Sequence, residues 1–171
     1  TRNRFTMNLL AKFRDIDTLI FDVDGVFTNS NLLITESGEL LRTMNTRDGY
    51  AVKKALEAGL RIAIITGGSS MGVTSRLKGL GVVDIYAGIQ HKIDAFDEYI
   101  LTYDLQKSQI LYMGDDLPDQ EVMMQVGMPV CPSDAVPEIK AVSQYVSPLK
   151  GGYGCVRDVI EKVLKLREQW F

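Results

Sequence analysis

The 171-residue sequence predicts an α/β fold, a Rossmann-like parallel sheet with helices on both faces. Short apolar runs alternate along the chain with segments whose apolar residues recur at helical spacing. The runs at residues 18–21, 61–65 and 110–113 are apolar enough to be buried on both faces, as strands of parallel sheets are. No repeat, low-complexity stretch or linker divides the chain, so we expect one domain over residues 1–171.

The first part of the chain, up to residue 65, contains five predicted elements. In order, they are a surface helix or arm over residues 1–15, a strand at 18–21, a β-hairpin at about 31–44, a helix from Asp48 as N-cap to about Ala58 with Gly59 behind it, and a strand at 61–65.

The second half continues the alternation. It predicts a helix opened by residues 66–70 and running to about Leu80, a short strand at 85–86, a helix over 92–103, a strand at 110–113, a helix through Gln125, an edge strand near 128–130, a helix after Pro137, and a last helix with an apolar stripe over residues 156–164.

Composition and charge exclude several classes of function. The formal net charge is −3 and no Lys/Arg stripe occurs, which argues against a nucleic-acid partner. No apolar segment has the length of a membrane span and the first residues lack the apolar core of a signal peptide, so we expect no membrane partner and a cytoplasmic protein. Cys131 and Cys155 are then expected to be reduced thiols.

Two carboxylates stand where the first strand should end. Asp22 and Asp24 follow the apolar run at residues 18–21, and Gly25 lets the backbone turn sharply behind them. Buried without partners, these carboxylates would cost several kcal/mol, on the order of 2–7 for an uncompensated polar group. A divalent cation would compensate them. The alternative is that they simply begin a polar loop.

Polar or small residues also follow two other strands. Residues 66–68 read Thr-Gly-Gly, Asp115 and Asp116 follow the strand at 110–113, and Lys92 begins the helix between them. Because the carboxyl ends of parallel strands share one edge of a sheet, we expect these groups to meet Asp22 there. Taken singly, the glycines could be only a turn, Lys92 a solvated side chain, and the aspartates a favourable helix N-terminus.

Together these groups meet the requirements of phosphoryl transfer through a covalent intermediate. Asp22 can attack phosphorus, and Asp24 can serve as acid for the leaving oxygen and as base for water. Mg²⁺ would take the Asp22 carboxylate, the Asp24 backbone carbonyl and the Asp115 carboxylate as ligands. The predicted phosphate donors are the Thr66 hydroxyl, the Gly67 amide at a helix N-terminus and the Lys92 ammonium.

This ordered set of motifs resembles the haloacid dehalogenase-like phosphohydrolase superfamily over about residues 16–165. The matching residues are Asp22-x-Asp24-Gly25-Val26-x-Thr28, Thr66-Gly67, Lys92 and Gly114-Asp115-Asp116-x-x-Asp119. The resemblance implies a nucleophile at Asp22, an acid/base at Asp24, phosphate binding by Thr66 and Lys92, and magnesium at Asp115. It leaves Asp116 and Asp119 in supporting positions.

A closer resemblance follows from the small size of the chain. No cap domain fits between the motifs, only the hairpin at 31–44, and residues 45–49 and 151–158 are similar to those of the 3-deoxy-D-manno-octulosonate 8-phosphate phosphatases. That family implies a role in lipopolysaccharide precursor synthesis and a homotetramer with intersubunit active sites. Phosphatases of nine-carbon sugar acids share the scaffold. Gly68, where they carry glutamate, favours the eight-carbon substrate.

Four further residues are candidates for substrate binding: Thr28, Arg47, Asp48 and Arg76. The two arginines could equally be solvated surface charges, and otherwise they bind a carboxylate or phosphate, Arg76 across a subunit boundary. His91 is interpreted as a helix-start residue and not as a catalytic one. A rival function is a phospho-accepting signalling domain, but an acid/base at Asp24 argues against a long-lived phosphoaspartate.

Overall fold

The computed structural model of the protein describes residues 2–171, with side chains described from Asn8 onward. Six strands form one parallel sheet in the order β5-β4-β1-β6-β7-β8. Their bounds are β1 Thr18–Phe21, β4 Arg61–Ile65, β5 Asp84–Tyr86, β6 Ile110–Met113, β7 Met128–Cys131 and β8 Tyr145–Val146. The predicted α/β class with a parallel sheet is confirmed.

Helices cover both faces of this sheet, as the sequence predicted. The helices are α1 Arg2–Asp15, α2 Thr46–Glu57, α3 Met71–Gly79, α4 Lys92–Tyr103, α5 Gln120–Met123, α6 Pro137–Val142 and α7 Cys155–Leu166. Residues of α1, α2, α3 and α7 form one apolar core, and residues of α4, α5 and α6 form a second.

Strand β1 divides the two cores and sets the position of the loop behind it. Leu19 and Phe21 point into the first core and Ile20 into the second, because successive side chains of a strand alternate between faces. Phe21 is in register with Ile64 of β4 and Met113 of β6. Since the strand order reverses at β1, the loops after β1, β4 and β6 open into one crevice.

A small hairpin stands apart from the sheet, where the sequence placed it. Its strands are β2 Leu33–Ile34 and β3 Leu40–Leu41, paired antiparallel. All four of these apolar side chains are exposed, from 44% for Leu41 to 68% for Leu33. The hairpin therefore contributes almost nothing to the core of its own chain.

Two details of the predicted elements are wrong. Asn45, and not Asp48, caps α2: its side chain accepts a hydrogen bond from the Arg47 N–H at 2.8 Å. The edge strand predicted near residues 128–130 is an inner strand, because β8 pairs with its outer side. Tyr145–Val146 is too short to produce a recognisable alternating pattern.

The expectations for Gly59 and for the two cysteines are confirmed. Gly59 follows α2 in the left-handed region with φ +86°, as a glycine behind a helix commonly does. Cys131 and Cys155 are buried free thiols. Within residues 2–171 no helix combines the length and apolarity that crossing a membrane would need.

Candidate active site

Asp22 lies directly behind the central strand and is almost fully buried. Its N–H donates to the Met113 carbonyl at 3.1 Å, so the β1–β6 pairing fixes its backbone. Its side-chain oxygen Oδ1 makes two contacts: it accepts a hydrogen bond from the Val23 N–H at 2.7 Å and lies 3.0 Å from the Lys92 ammonium. Only 6% of the residue is exposed.

Lys92, at the first position of α4, connects this aspartate to a second one. Its ammonium donates to Asp119 Oδ1 at 2.7 Å, and the Tyr112 hydroxyl donates to the same oxygen at 2.6 Å. The other Asp119 oxygen accepts from the Asp115 N–H at 3.0 Å and more weakly from the Asp116 N–H at 3.4 Å. Asp119 is thus central to the site, although the sequence had given it only a supporting place.

Three carboxylates converge closely enough to hold one cation. Asp22, Asp115 and Asp119 each offer an oxygen, and these oxygens lie within 4.8 Å of one another. Gly25 makes this approach feasible: its φ is +88°, and a Cβ there would collide with the Asp115 carboxylate. Carboxylate oxygens are the ligands that Mg²⁺ takes in proteins, so the group fits a divalent cation.

The charge balance of the site supports the same assignment. Burial, reinforced by the nearby Asp119 carboxylate, raises the pKa of Asp22 well above its usual range. Burial, together with Asp119 and Asp116, raises the pKa of Asp115 to about 7. Burial by itself would lower the pKa of Lys92, but the Asp22 and Asp119 carboxylates outweigh it and raise that pKa. The site contains more negative charge than Lys92 neutralises, which a divalent cation would relieve.

The predicted phosphate-binding residues face the same crevice. A cavity of about 420 Å³ is bounded by the carboxylates, by Lys92 and by residues 66–68. The Thr66 hydroxyl accepts from the Gly68 N–H at 3.2 Å, which leaves its own proton free to donate. The helix N-terminus expected at Gly67 is wrong, because α3 begins only at Met71, with Ser70 as its cap. Gly67 therefore offers a loop amide.

Asp24 has a partner that the sequence did not reveal. Arg42, just beyond β3 of the hairpin, donates from Nε to Asp24 Oδ1 at 2.7 Å and from an Nη to Asp24 Oδ2 at 3.2 Å. The Arg42 side chain is 7% exposed and that of Asp24 is 37% exposed. No local signal marks this contact, since the two residues lie 18 positions apart and in different elements.

The four candidates for substrate binding separate into two pairs. Thr28 and Asp48 are completely buried, so neither offers a surface to substrate in this chain. The Thr28 hydroxyl instead accepts from the Gly25 N–H at 3.3 Å, and Asp48 Oδ1 accepts from the Arg157 N–H at 2.8 Å. These contacts correct the sequence-based expectation: Thr28 braces the loop behind β1, and Asp48 braces the first turn of α7.

The remaining candidates are exposed. Arg47 lies in the first turn of α2, and Arg76 borders a groove of about 1020 Å³ between the hairpin and α3. His91 precedes α4 and forms no side-chain cap hydrogen bond. Arg76 is thus beside the crevice, while Arg47 and His91 have no site contact among the described residues.

The glycine-rich segment at residues 151–154 packs against the nucleophile loop. The Gly152 N–H donates to the Val26 carbonyl at 3.0 Å. A Cβ on Gly151 would collide with the Gly25 carbonyl, and one on Gly152 would come within 2.8 Å of the Asn29 nitrogen. Only glycines allow this close contact, so the segment supports the loop that carries Asp22 and Asp24.

Comparison with known proteins gives a consistent set of relatives. The haloacid dehalogenase-like hydrolase family matches residues 74–154. The 3-deoxy-D-manno-octulosonate 8-phosphate phosphatase of Escherichia coli (strain K12) is 36% identical over 157 residues, which are 92% of this chain and 84% of that protein.

Solved structures agree. The crystal structure of the 3-deoxy-D-manno-octulosonate 8-phosphate phosphatase from Yersinia pestis matches with a TM-score of 0.92 at 35% identity, covering 95% of this chain and 88% of that one. The corresponding Moraxella catarrhalis enzyme, in complex with magnesium ion, phosphate ion and a KDO molecule, matches with a TM-score of 0.91 at 30% identity, covering 94% and 92%.

Proposed function

The chain belongs to the 3-deoxy-D-manno-octulosonate 8-phosphate phosphatases, a family of haloacid dehalogenase-like hydrolases, and from this premise we propose its substrate and its chemistry. It hydrolyses the phosphomonoester of 3-deoxy-D-manno-octulosonate 8-phosphate, requires magnesium, and proceeds through an aspartyl phosphate on Asp22. Its place is lipopolysaccharide precursor synthesis in the cytoplasm.

One observation carries the proposal. The Asp22 carboxylate lies at the carboxyl end of the central strand, held by the Lys92 ammonium at 3.0 Å, and both border a cavity of about 420 Å³. A nucleophile, a cation and a group of metal-capable carboxylates thereby face one space. The magnesium and KDO named for the M. catarrhalis enzyme support the choice of metal and of substrate class.

The first half of the reaction transfers the phosphoryl group to the protein. An Asp22 carboxylate oxygen attacks phosphorus, the bond between phosphorus and the C8 oxygen of the sugar breaks, and Asp24 gives a proton to that oxygen. Thr66, Gly67 and Lys92 donate hydrogen bonds to the phosphate oxygens. Asp22, the Asp24 carbonyl and Asp115 are the groups that would hold magnesium, and a bound divalent cation would offset the repulsion between the carboxylates and the phosphate dianion.

The second half restores the enzyme. Water attacks phosphorus, Asp24 takes a proton from that water, and the bond between phosphorus and the Asp22 oxygen breaks to release inorganic phosphate. Asp119 holds Lys92 at 2.7 Å throughout, with Tyr112 fixing Asp119 in turn. Asp116 caps the short turn Leu117–Asp119 and so maintains the position of Asp119.

We extend the proposal to assembly as a homotetramer built through the hairpins. The exposed side chains of Leu33, Ile34, Leu40 and Leu41 form an apolar surface on two short strands with free edges. A neighbour seated there would also narrow the groove that Arg76 borders and exclude water from the site. Arg47 and Arg76 are the side chains we assign to the substrate carboxylate or phosphate, Arg76 from a neighbouring subunit.

The test of the function is phosphate release from a matched set of substrates. We expect the eight-carbon 3-deoxy-D-manno-octulosonate 8-phosphate to give the highest kcat/KM, at least about tenfold above nine-carbon keto-deoxy sugar acid 9-phosphates. A preference for nine-carbon substrates would change the proposed substrate but leave the proposed reaction mechanism in place. A stoichiometric, persistent phosphoprotein without steady phosphate release would identify a signalling domain instead.

A further inference from the structure

Arg42 contacts the proposed acid/base directly and does so from the hairpin. Its guanidinium binds both oxygens of Asp24, Nε to Oδ1 at 2.7 Å and an Nη to Oδ2 at 3.2 Å. The other Nη donates to the Leu40 carbonyl at 3.3 Å. Three of the five N–H groups of this side chain are therefore committed within the protein.

This arrangement fixes the direction of the Asp24 carboxylate. A two-point contact between guanidinium and carboxylate leaves little freedom of rotation, whereas a single hydrogen bond would leave much. The pair lies over the phosphate-binding loop: a Cβ on Gly68 would come within 3.2 Å of the Arg42 guanidinium and 3.4 Å of Asp24 Oδ2. Asp24 is thus held at the border of the crevice, beside Thr66.

We propose that Arg42 is a positioning residue that acts on the reaction through Asp24, and that it couples the geometry of the hairpin to proton transfer. This inference rests on the proposed function, because it requires Asp24 to be the acid and base. The rival role for Arg42, binding the sugar-acid carboxylate, fits poorly with a side chain that is 7% exposed and already bound by Asp24 and Leu40.

The proposal predicts which step Arg42 affects. An alkyl oxygen leaves as a strong base and needs the Asp24 proton, whereas a nitrophenolate leaves without protonation. Loss of Arg42 should therefore slow the first half of the reaction for alkyl phosphates and spare it for aryl phosphates. The second half needs Asp24 as a base for every substrate, so it should slow in both cases.

The experiment compares Arg42→Met and Arg42→Lys with the wild type and with Thr35→Ala, a hairpin control whose side chain bonds only within the turn. Substrates are the sugar-acid phosphate, glycerol phosphate and p-nitrophenyl phosphate. For Arg42→Met we expect kcat on both alkyl phosphates to fall about 10- to 100-fold, with KM within about threefold.

With p-nitrophenyl phosphate, Arg42→Met should release the first equivalent of nitrophenolate within about threefold of the wild-type rate and then turn over slowly, a burst that the wild type lacks. Arg42→Lys keeps the charge but loses the two-point contact, and it should recover only part of the loss. Thr35→Ala should match the wild type in kcat, KM and first-turnover rate on every substrate.

Three outcomes would overturn the proposal. An equal loss of first-turnover rate on alkyl and aryl phosphates would place Arg42 on the phosphate or in the fold. A raised KM with unchanged kcat would make it a substrate ligand, and a changed mass by light scattering would make it an assembly residue. If Arg42→Met does not fold, the proposal is tested by the same comparison of alkyl and aryl phosphates in Arg42→Lys. A wild type without phosphomonoesterase activity would instead reject the proposed function.

Discussion

The crevice and the hairpin depart from the usual rules of burial in opposite directions. At the crevice the chain buries carboxylates: Asp22 is 6% exposed and Asp119 is fully buried. At the hairpin it exposes aliphatic side chains, with Leu33 and Ile34 each about two-thirds accessible. Buried charge and exposed apolar surface both raise the free energy of a monomer, which suggests that each region is completed by something outside the chain.

The difference shows what kind of partner each region selects. Carboxylate oxygens within 4.8 Å of one another suit a small divalent cation, which in turn attracts a phosphate dianion; this attraction is electrostatic and directional. Two paired strands with four leucine and isoleucine side chains suit another apolar surface, whose attraction follows buried area. Arg42 joins the two regions, since it extends from the hairpin to Asp24.

The largest expected effect comes from breaking the crevice at its centre. Asp22→Asn should lower kcat by more than about 10⁴-fold, because an amide cannot attack phosphorus. The variant should fold and melt at least as high as the wild type without metal, since it removes a buried carboxylate whose pKa is raised by burial. Phosphate release and calorimetry measure the two effects.

The control for this variant is Asp97→Asn, which removes an exposed carboxylate of α4 that does not line the cavity of the site. It should leave kcat and melting temperature unchanged. Residual activity of Asp22→Asn within tenfold of wild type would assign the nucleophile elsewhere.

The next effect is removal of the metal. Exhaustive chelation should abolish turnover, magnesium should restore it, and calcium should inhibit, because calcium prefers more ligands at about 2.3–2.6 Å where magnesium takes six at about 2.0–2.1 Å. Magnesium at 100 times its dissociation constant should also stabilise the fold by about 2.7 kcal/mol.

A carboxylate variant separates this binding from general salt effects. Asp115→Asn should lose most of the magnesium-dependent shift in melting temperature, whereas Asp97→Asn should keep it. Full activity after chelation, or an unchanged shift in Asp115→Asn, would remove the metal or this ligand from the mechanism.

The hairpin is broken by placing a charge in its apolar surface. Ile34→Glu should yield smaller species by light scattering, because a carboxylate would be buried in the proposed interface. We expect kcat/KM on the sugar-acid phosphate to fall by about tenfold or more, while turnover of small activated phosphates persists.

A matched charge change at the turn tests whether position matters. Glu36 is exposed at the tip of the hairpin, and Glu36→Lys should leave both mass and activity unchanged. A wild-type monomer with full activity on the sugar acid would refute the assembly, and an Ile34→Glu oligomer of wild-type mass would locate the interface elsewhere.

The two regions also differ in how far the sequence could reveal them. The crevice could be predicted from the sequence because Asp22, Thr66 and Asp115 each follow an apolar strand, and parallel strands bring their carboxyl ends to one edge. The hairpin could be predicted from its glycine-containing turn and apolar flanks. Both depend on local patterns that periodicity makes visible.

Contacts between side chains that are distant in the sequence could not be predicted. The pairing of Arg42 with Asp24 and the central place of Asp119 depend on how loops fold over the sheet, which no spacing encodes. Asp48 was misread because a polar residue near a helix start looks like a cap, whereas its carboxylate faces inward to the Arg157 N–H. Strand β8 was missed because two residues cannot show alternation.

The smallest expected effect concerns Asp48, a buried carboxylate outside the crevice. Its Oδ1 accepts from the Arg157 N–H, whereas Oδ2 is buried without a hydrogen-bond partner. Burial raises the pKa of Asp48 to about 6 from 3.8, although the N–H groups of Arg157 and Gly154 act to lower it. Unlike the site carboxylates, Asp48 belongs to no group of described residues that could hold a cation.

Because this folded-state pKa is raised, the contribution of Asp48 to stability is fully present below about pH 4 and is lost as pH rises through about 6. Asp48→Asn resembles the protonated form at every pH and keeps an acceptor for Arg157. We expect it to leave stability nearly unchanged near pH 4 and to raise it above pH 7 by about 1–2 kcal/mol, as measured by urea unfolding across that range. Its kcat should equal that of the wild type if the side chain only braces α7, and a large loss of kcat would return Asp48 to the substrate-binding residues.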